Sequence, residues 1–194
     1  MKKVLIVVGI VAAVCMVSVL GFFVWLGTML ESGAMPDTMV VVGNKLSSPA
    51  RKAIDQAVTI RPDESILFFY SAGLWSWNED GSLVTNQRVI SYHQGEEDGE
   101  LYVLEADYAD IESVTPYFSD TWAEDSSLIV ELKDESFFML QFSNEEDLDH
   151  SAIDYVLKQV EAQGGTIGDD QAVDPFMDEE ADYEEPDVEE PAEE

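Results

Sequence analysis

Leu83-Val84-Thr85-Asn86-Gln87-Arg88-Val89-Ile90-Ser91-Tyr92-His93 reads as two β-forming runs, 83–85 and 88–93, on either side of a polar break. β-Branched and aromatic residues suit a pleated, half-buried surface, and a short polar interruption between two such runs predicts a hairpin. Working outward, residues 66–71 form a mostly apolar strand, followed by a second at 74–77. Asn78-Glu79-Asp80-Gly81 then supplies turn chemistry. Downstream, residues 95–99 make an acidic turn and 101–105 alternate in strand fashion. Residues 111–118 predict a further strand, with Pro116 marking an edge or a bulge because proline cannot donate to a ladder. Residues 128–132 and 137–142 flank Lys133-Asp134-Glu135-Ser136 as a last hairpin. The series amounts to about seven short strands.

A helix closes the series. Ser143 and Glu146 stand at capping-box spacing, and Leu148, Ala152, Ile153, Val156, Leu157 and Val160 recur on one helical face up to Gly164-Gly165. A short strand series leaves an apolar face open, and such a helix can cover it. The fold class expected is mainly β with a capping helix (α+β): an antiparallel sandwich or open barrel closed by a C-terminal helix. Ahead of it, Ser47-Ser48-Pro49 reads as the capped start of a short helix ending before Arg61-Pro62.

Residues 4–30 carry no charged side chain. Crossing a bilayer core of about 30 Å takes roughly 20 helical residues, so this run is expected to be a transmembrane anchor. A cleaved signal peptide, cut near Ser32-Gly33-Ala34, is the rival reading. Lys2 and Lys3 before the run, with Glu31 and Asp37 after it, favour an exported domain, although Lys45, Arg51 and Lys52 weigh the other way. The organisation expected is an anchor over 1–30, a linker over 31–46, a short helix and connector over 47–62, the β domain over 63–164 and an acidic tail over 165–194.

Acids outnumber bases 41 to 9, for a formal charge of −32. Such a chain repels phosphate backbones, which argues against nucleic acid as a partner. A high-salt habitat would give the same excess. The single cysteine, Cys15, permits neither an intramolecular disulfide nor a cysteine-rich zinc site. The tail holds fourteen acids and no base, a composition expected to stay disordered.

The order of these pieces resembles the pleckstrin-homology-like superfold, in particular bacterial pleckstrin-homology and GRAM-type domains. The resemblance rests on Glu64-Ser65-Ile66-Leu67, Leu83-Val84-Thr85-Asn86-Gln87-Arg88-Val89-Ile90, Tyr108-Ala109-Asp110-Ile111 and the strand 137–142 before an acidic helix start, covering about residues 60–163. It implies a module that binds lipid headgroups or protein surfaces. Phosphoinositide-binding members use bases around the first strand-to-strand loop, whereas Trp75-Ser76-Trp77-Asn78-Glu79-Asp80 has none, so anionic phosphoinositide headgroups are not expected.

Candidate partner contacts are the aromatic pair Trp75 and Trp77, the loop residue Trp122, and Phe176, Met177 and Tyr183 in the tail. Each has a plainer alternative: Trp75 and Trp77 packing a sheet face, Trp122 folding over the core, the tail acting as a solubilising brush. His93 and His150 lack metal-ligand spacing, and neither a serine elbow nor a phosphate-cradling glycine loop occurs. Arg88 reads as a neutraliser of neighbouring acids. No catalytic, cofactor or metal residue is therefore assigned. The expectation is a single-pass, non-enzymatic module that contacts another protein; the alternative is a membrane-surface-binding domain using aromatic contacts.

Overall fold

The structure, a computed structural model, describes residues 15–25, 27–28, 36, 39–73, 76–95, 98–121 and 124–169. Elements run β1 (Val41–Val42), α1 (Ser48–Ala57), β2 (Ile66–Tyr70), β3 (Asp80–Thr85), β4 (Arg88–Gln94), β5 (Leu101–Asp107), β6 (Ile111–Tyr117), β7 (Ser126–Leu132), β8 (Phe137–Phe142), α2 (Leu148–Ala162) and β9 (Thr166–Ile167). They build two sheets, β1-β2-β3-β4-β5 and β8-β7-β6-β9, antiparallel throughout except for the parallel β6–β9 pair. A meander through β2 to β5, a second through β6 to β8 and then a closing helix is the order that the pleckstrin-homology-like resemblance implies. The strands separate into two sheets.

The hairpin quoted first is the hinge of the first sheet. Thr85 Oγ1 accepts from the amides of Gln87 (3.1 Å) and Arg88 (2.9 Å) and donates to the Arg88 carbonyl (2.9 Å), which turns β3 into β4. Asn86 then ties the turn to the connector: its Oδ1 accepts from the Ser65 amide at 2.7 Å and its Nδ2 donates to the Asp63 carbonyl at 3.2 Å.

The main core lies between the two sheets and α2, where Val84, Val89, Val114, Leu128 and Leu140 are fully buried. The stripe expected on the closing helix is the buried one: Ala152, Ile153, Val156 and Val160 face this core. Burying a large aliphatic side chain stabilises a fold by about 1.5–3 kcal/mol, so the stripe holds the helix in place. At its end, Gly164 (φ 85°) donates to Glu161 and Gly165 donates to Val160, closing the last turn in the left-handed manner that glycine permits.

Several expectations need correction. Residues 47–62 do hold the expected short helix, but it packs into the domain that follows it. Ser47 caps α1 by accepting from the Ala50 amide (3.2 Å), and Ala50, Ala53 and Ile54 pack with Phe69, Leu83 and Ile90 in a second core on the outer face of the first sheet. The supposed linker contributes β1, paired with β2, and the buried Val40. The start of the supposed tail contributes β9, and Gly168 donates to the Val114 carbonyl at 2.8 Å. The capping box does not form: Glu146 (φ 63°) and Asp147 (φ 55°) are left-handed, and α2 starts at Leu148. Within the expected strand 74–77, residues 74 and 75 lie outside the described residues and Trp77 stands in a turn. Pro116 does sit on an edge, since β9 pairs only with Ser113 and Val114.

The anchor expected over 1–30 lies largely outside the described residues. Residues 15–25 and 27–28 are helical, and no described helix is long and apolar enough to cross a membrane. Residues 170–194, most of the tail, lie outside as well.

Candidate functional site

Of the expected contact residues, Trp75, Trp122, Phe176, Met177 and Tyr183 lie outside the described residues. Trp77 is placed, and it corrects the expectation. It is 6% exposed, its ring lies 5.7 Å from that of Phe69, and its carbonyl accepts from the Tyr92 hydroxyl at 2.6 Å. An indole sealed beneath α1 is core, not a contact patch.

Among the described residues of the domain, Phe137 and Ile167 are exposed singly, whereas a run of exposed apolar side chains lies on β5, a strand that the periodicity marked only as alternating. Leu101, Tyr102, Val103 and Leu104 are 39%, 44%, 38% and 45% exposed, and they are consecutive. Successive side chains of a strand point to opposite faces, so both faces of β5 are open. The cause is topological. Among the described residues β5 is the outermost strand of its sheet and pairs only with β4, and its first five residues are all exposed. Only Ala106 is buried. Tyr102 and Leu104 stand opposite His93 and Ser91, with the His93 and Tyr102 rings stacked at 5.3 Å. Leu101 and Val103 stand opposite Gln94 and Tyr92.

Acidic groups bracket this strand. At its start, Asp98 accepts from the Glu100 amide (3.0 Å) and the Tyr102 hydroxyl (2.8 Å). Those bonds hold the Asp98 carboxyl below its ordinary range, and the same contact raises the Tyr102 hydroxyl. At its end lies a cleft of about 380 Å³, where Glu105, Asp107, Asp110 and Asp134 stand with Arg61 and Lys133. Both bases are engaged: Arg61 Nη1 donates to Asp107 Oδ1 at 2.6 Å and Lys133 Nζ donates to the Ala109 carbonyl at 2.6 Å.

Beneath the cleft lies a buried ion network. Arg88 donates from Nε to Glu64 Oε1 (2.8 Å), from Nη2 to Glu64 Oε2 (3.0 Å) and to the Thr59 carbonyl (2.8 Å), and from Nη1 to Glu105. Burial alone would raise the Glu64 carboxyl, yet hydrogen bonds from Arg88 and the Arg61 amide hold it below the usual carboxylate range. This network joins the connector, β4 and β5, which is the neutralising role the sequence suggested for Arg88.

Among the described residues no three His, Cys, Asp or Glu side chains gather as metal ligands would. His150 stacks on Phe118 at 4.3 Å. Within the first strand-to-strand loop, Ser71 Oγ donates to the Asp80 carbonyl (2.7 Å) and Ser76 Oγ accepts from the Asn78 amide (3.2 Å); the loop carries no base.

Two solved structures are similar to the chain. One is a DUF1696-family protein with a pleckstrin-homology domain from Shewanella loihica, 14% identical over 63% of this chain and 96% of that one, with a TM-score of 0.44. The other is a pleckstrin-homology domain from Shewanella amazonensis, 12% identical over 58% of this chain and 88% of that one, with a TM-score of 0.42. No protein-family model and no curated protein matches the chain. Likenesses this distant carry nothing about ligands or partners.

Proposed function

We propose that the chain is a membrane-anchored, non-enzymatic interaction module: a bacterial pleckstrin-homology or GRAM-type domain that contacts another protein, held beside the bilayer by an N-terminal helix on the non-cytoplasmic side. The observation that carries this reading is β5, an edge strand with four consecutive apolar side chains open to solvent. Monomeric domains usually blunt such edges with charges, bulges or cover, and here the charges stand only at the two ends of an apolar run, which marks that run as a contact surface.

The anchor is supported by the helix at 15–25. Phe22, Phe23, Val24 and Trp25 are all at least half exposed, and at about 100° per residue four consecutive side chains point around the whole circumference. A helix apolar on every side belongs in hydrocarbon or in a large core.

The alternative, attachment to a membrane surface through Trp75 and Trp77, loses its second aromatic to the core. Photo-cross-linkers installed at exposed positions of β4, β5, β6 and β8 test the reading in native membranes. Protein adducts on at least one face are expected. Adducts to lipid alone would favour the alternative, and recovery of the full chain in the soluble fraction would overturn the anchored module altogether.

A further inference from the structure

Resting on that protein-binding reading, we infer that β5 binds its partner by strand addition, and that the partner is an extended segment in which apolar residues alternate with lysine or arginine. The geometry supplies the first half. β5 is seven residues long and, among the described residues, hydrogen-bonded only to β4, so within the described fold its other edge presents a row of unpaired amides and carbonyls. A strand laid there would meet Tyr102 and Leu104 on one face and Leu101 and Val103 on the other, each half-exposed at present.

Charge decides the second half. From residue 88 to 110 the hairpin carries seven acids and one base, and that base, Arg88, is 2% exposed and committed to Glu64 and Glu105. Asp98 and Glu100 flank the start of the strand. At its end the cleft sets four carboxylates against two bases. The chain's own tail, fourteen acids without a base, is repelled from such an edge, and a second copy would bring the same carboxylates with a net charge of −32. Opposite charge is what the site lacks.

A short synthetic peptide alternating lysine with valine, added to the full chain in zwitterionic nanodiscs, provides the test. Binding is expected, together with slowed amide exchange confined to β5. Affinity should fall as salt rises, because the screening length shrinks from about 10 Å at 0.1 M to about 3 Å at 1 M. N-methylation of alternate peptide residues removes donors from one edge while keeping the side chains; one of the two methylation registers should abolish binding. Leu104→Lys, at an already exposed position, should leave thermal unfolding unchanged and weaken binding about tenfold through like-charge repulsion. Equal binding of a glutamate–valine peptide, indifference to both methylation registers, or protection mapping away from β5 would each overturn the inference. Protein cross-links from another face, with β5 silent, would sink this inference and leave the interaction module standing. An absence of protein cross-links anywhere would sink both.

Discussion

Arg88 and Glu64 form a two-pronged ion pair inside the domain, 2.8 Å and 3.0 Å, with side chains 3% and 0% exposed. Removing one member leaves a buried charge without its partner, which destabilises by about 3–5 kcal/mol. Arg88→Met should therefore lower the denaturation midpoint severely. The double replacement Arg88→Met with Glu64→Leu should recover much of that loss, because no uncompensated carboxylate stays sealed at position 64. Urea unfolding of the micelle-solubilised chain, followed by tryptophan fluorescence, compares the two.

The same pair sets a pH dependence. Glu64 is held below its unfolded value, so the unfolded chain takes up its proton first as pH falls. Its contribution to stability is complete above the unfolded carboxylate value of about 4.3 and is lost as pH drops through the lowered folded value. Stability measured from neutral to acidic pH should fall in that window, and Glu64→Gln should flatten the fall while lowering stability at neutral pH.

Gly81 faces the Tyr92 ring across the β3–β4 pair, and a Cβ there would overlap the ring. The ring has little freedom to yield, since its hydroxyl is bonded to the Trp77 carbonyl at 2.6 Å. Gly81→Ala should cost about 1–3 kcal/mol, the scale of overpacking a filled core. Thermal unfolding measures it, and a shift no larger than that of an exposed control would mean the ring relocates freely.

Trp77 and Leu104 should separate stability from recognition. Trp77→Ala empties a core site and should cost about 3–5 kcal/mol. Leu104→Lys should cost little, because its side chain is already 45% exposed. Parallel unfolding and cross-linking experiments on both variants should show one losing stability and the other losing adducts.

The central hairpin and the closing helix were legible in the sequence because both carry repeated signals. Thr85, Asn86 and Arg88 combine turn chemistry with strand formers, and Ala152, Ile153, Val156 and Val160 repeat at helical spacing. β1 and β9, two residues each, are too short to carry any period, and they exist because β2 and β6 offered free edges. The start of α2 misled because the serine–glutamate spacing at 143 and 146 matches a capping box, whereas left-handed Glu146 and Asp147 delay the helix. Asn144 reinforces that detour, donating to the carbonyls of Ser119 and Thr121. Trp77 misled because it sits in a turn, where spacing of two says nothing about a shared face. The β5 edge was half legible: its alternation marked a strand, but only the sheet order reveals that no strand among the described residues pairs with its outer side.

Amide hydrogen exchange along β5 is the most direct measurement. In native membranes the outward-facing amides of Leu101–Asp107 should exchange slowly, and purification away from partners in high salt should release them to rapid exchange while β3 and β4 stay protected. Equal rates for β5 in both preparations would mean that nothing docks on this edge, contradicting the account.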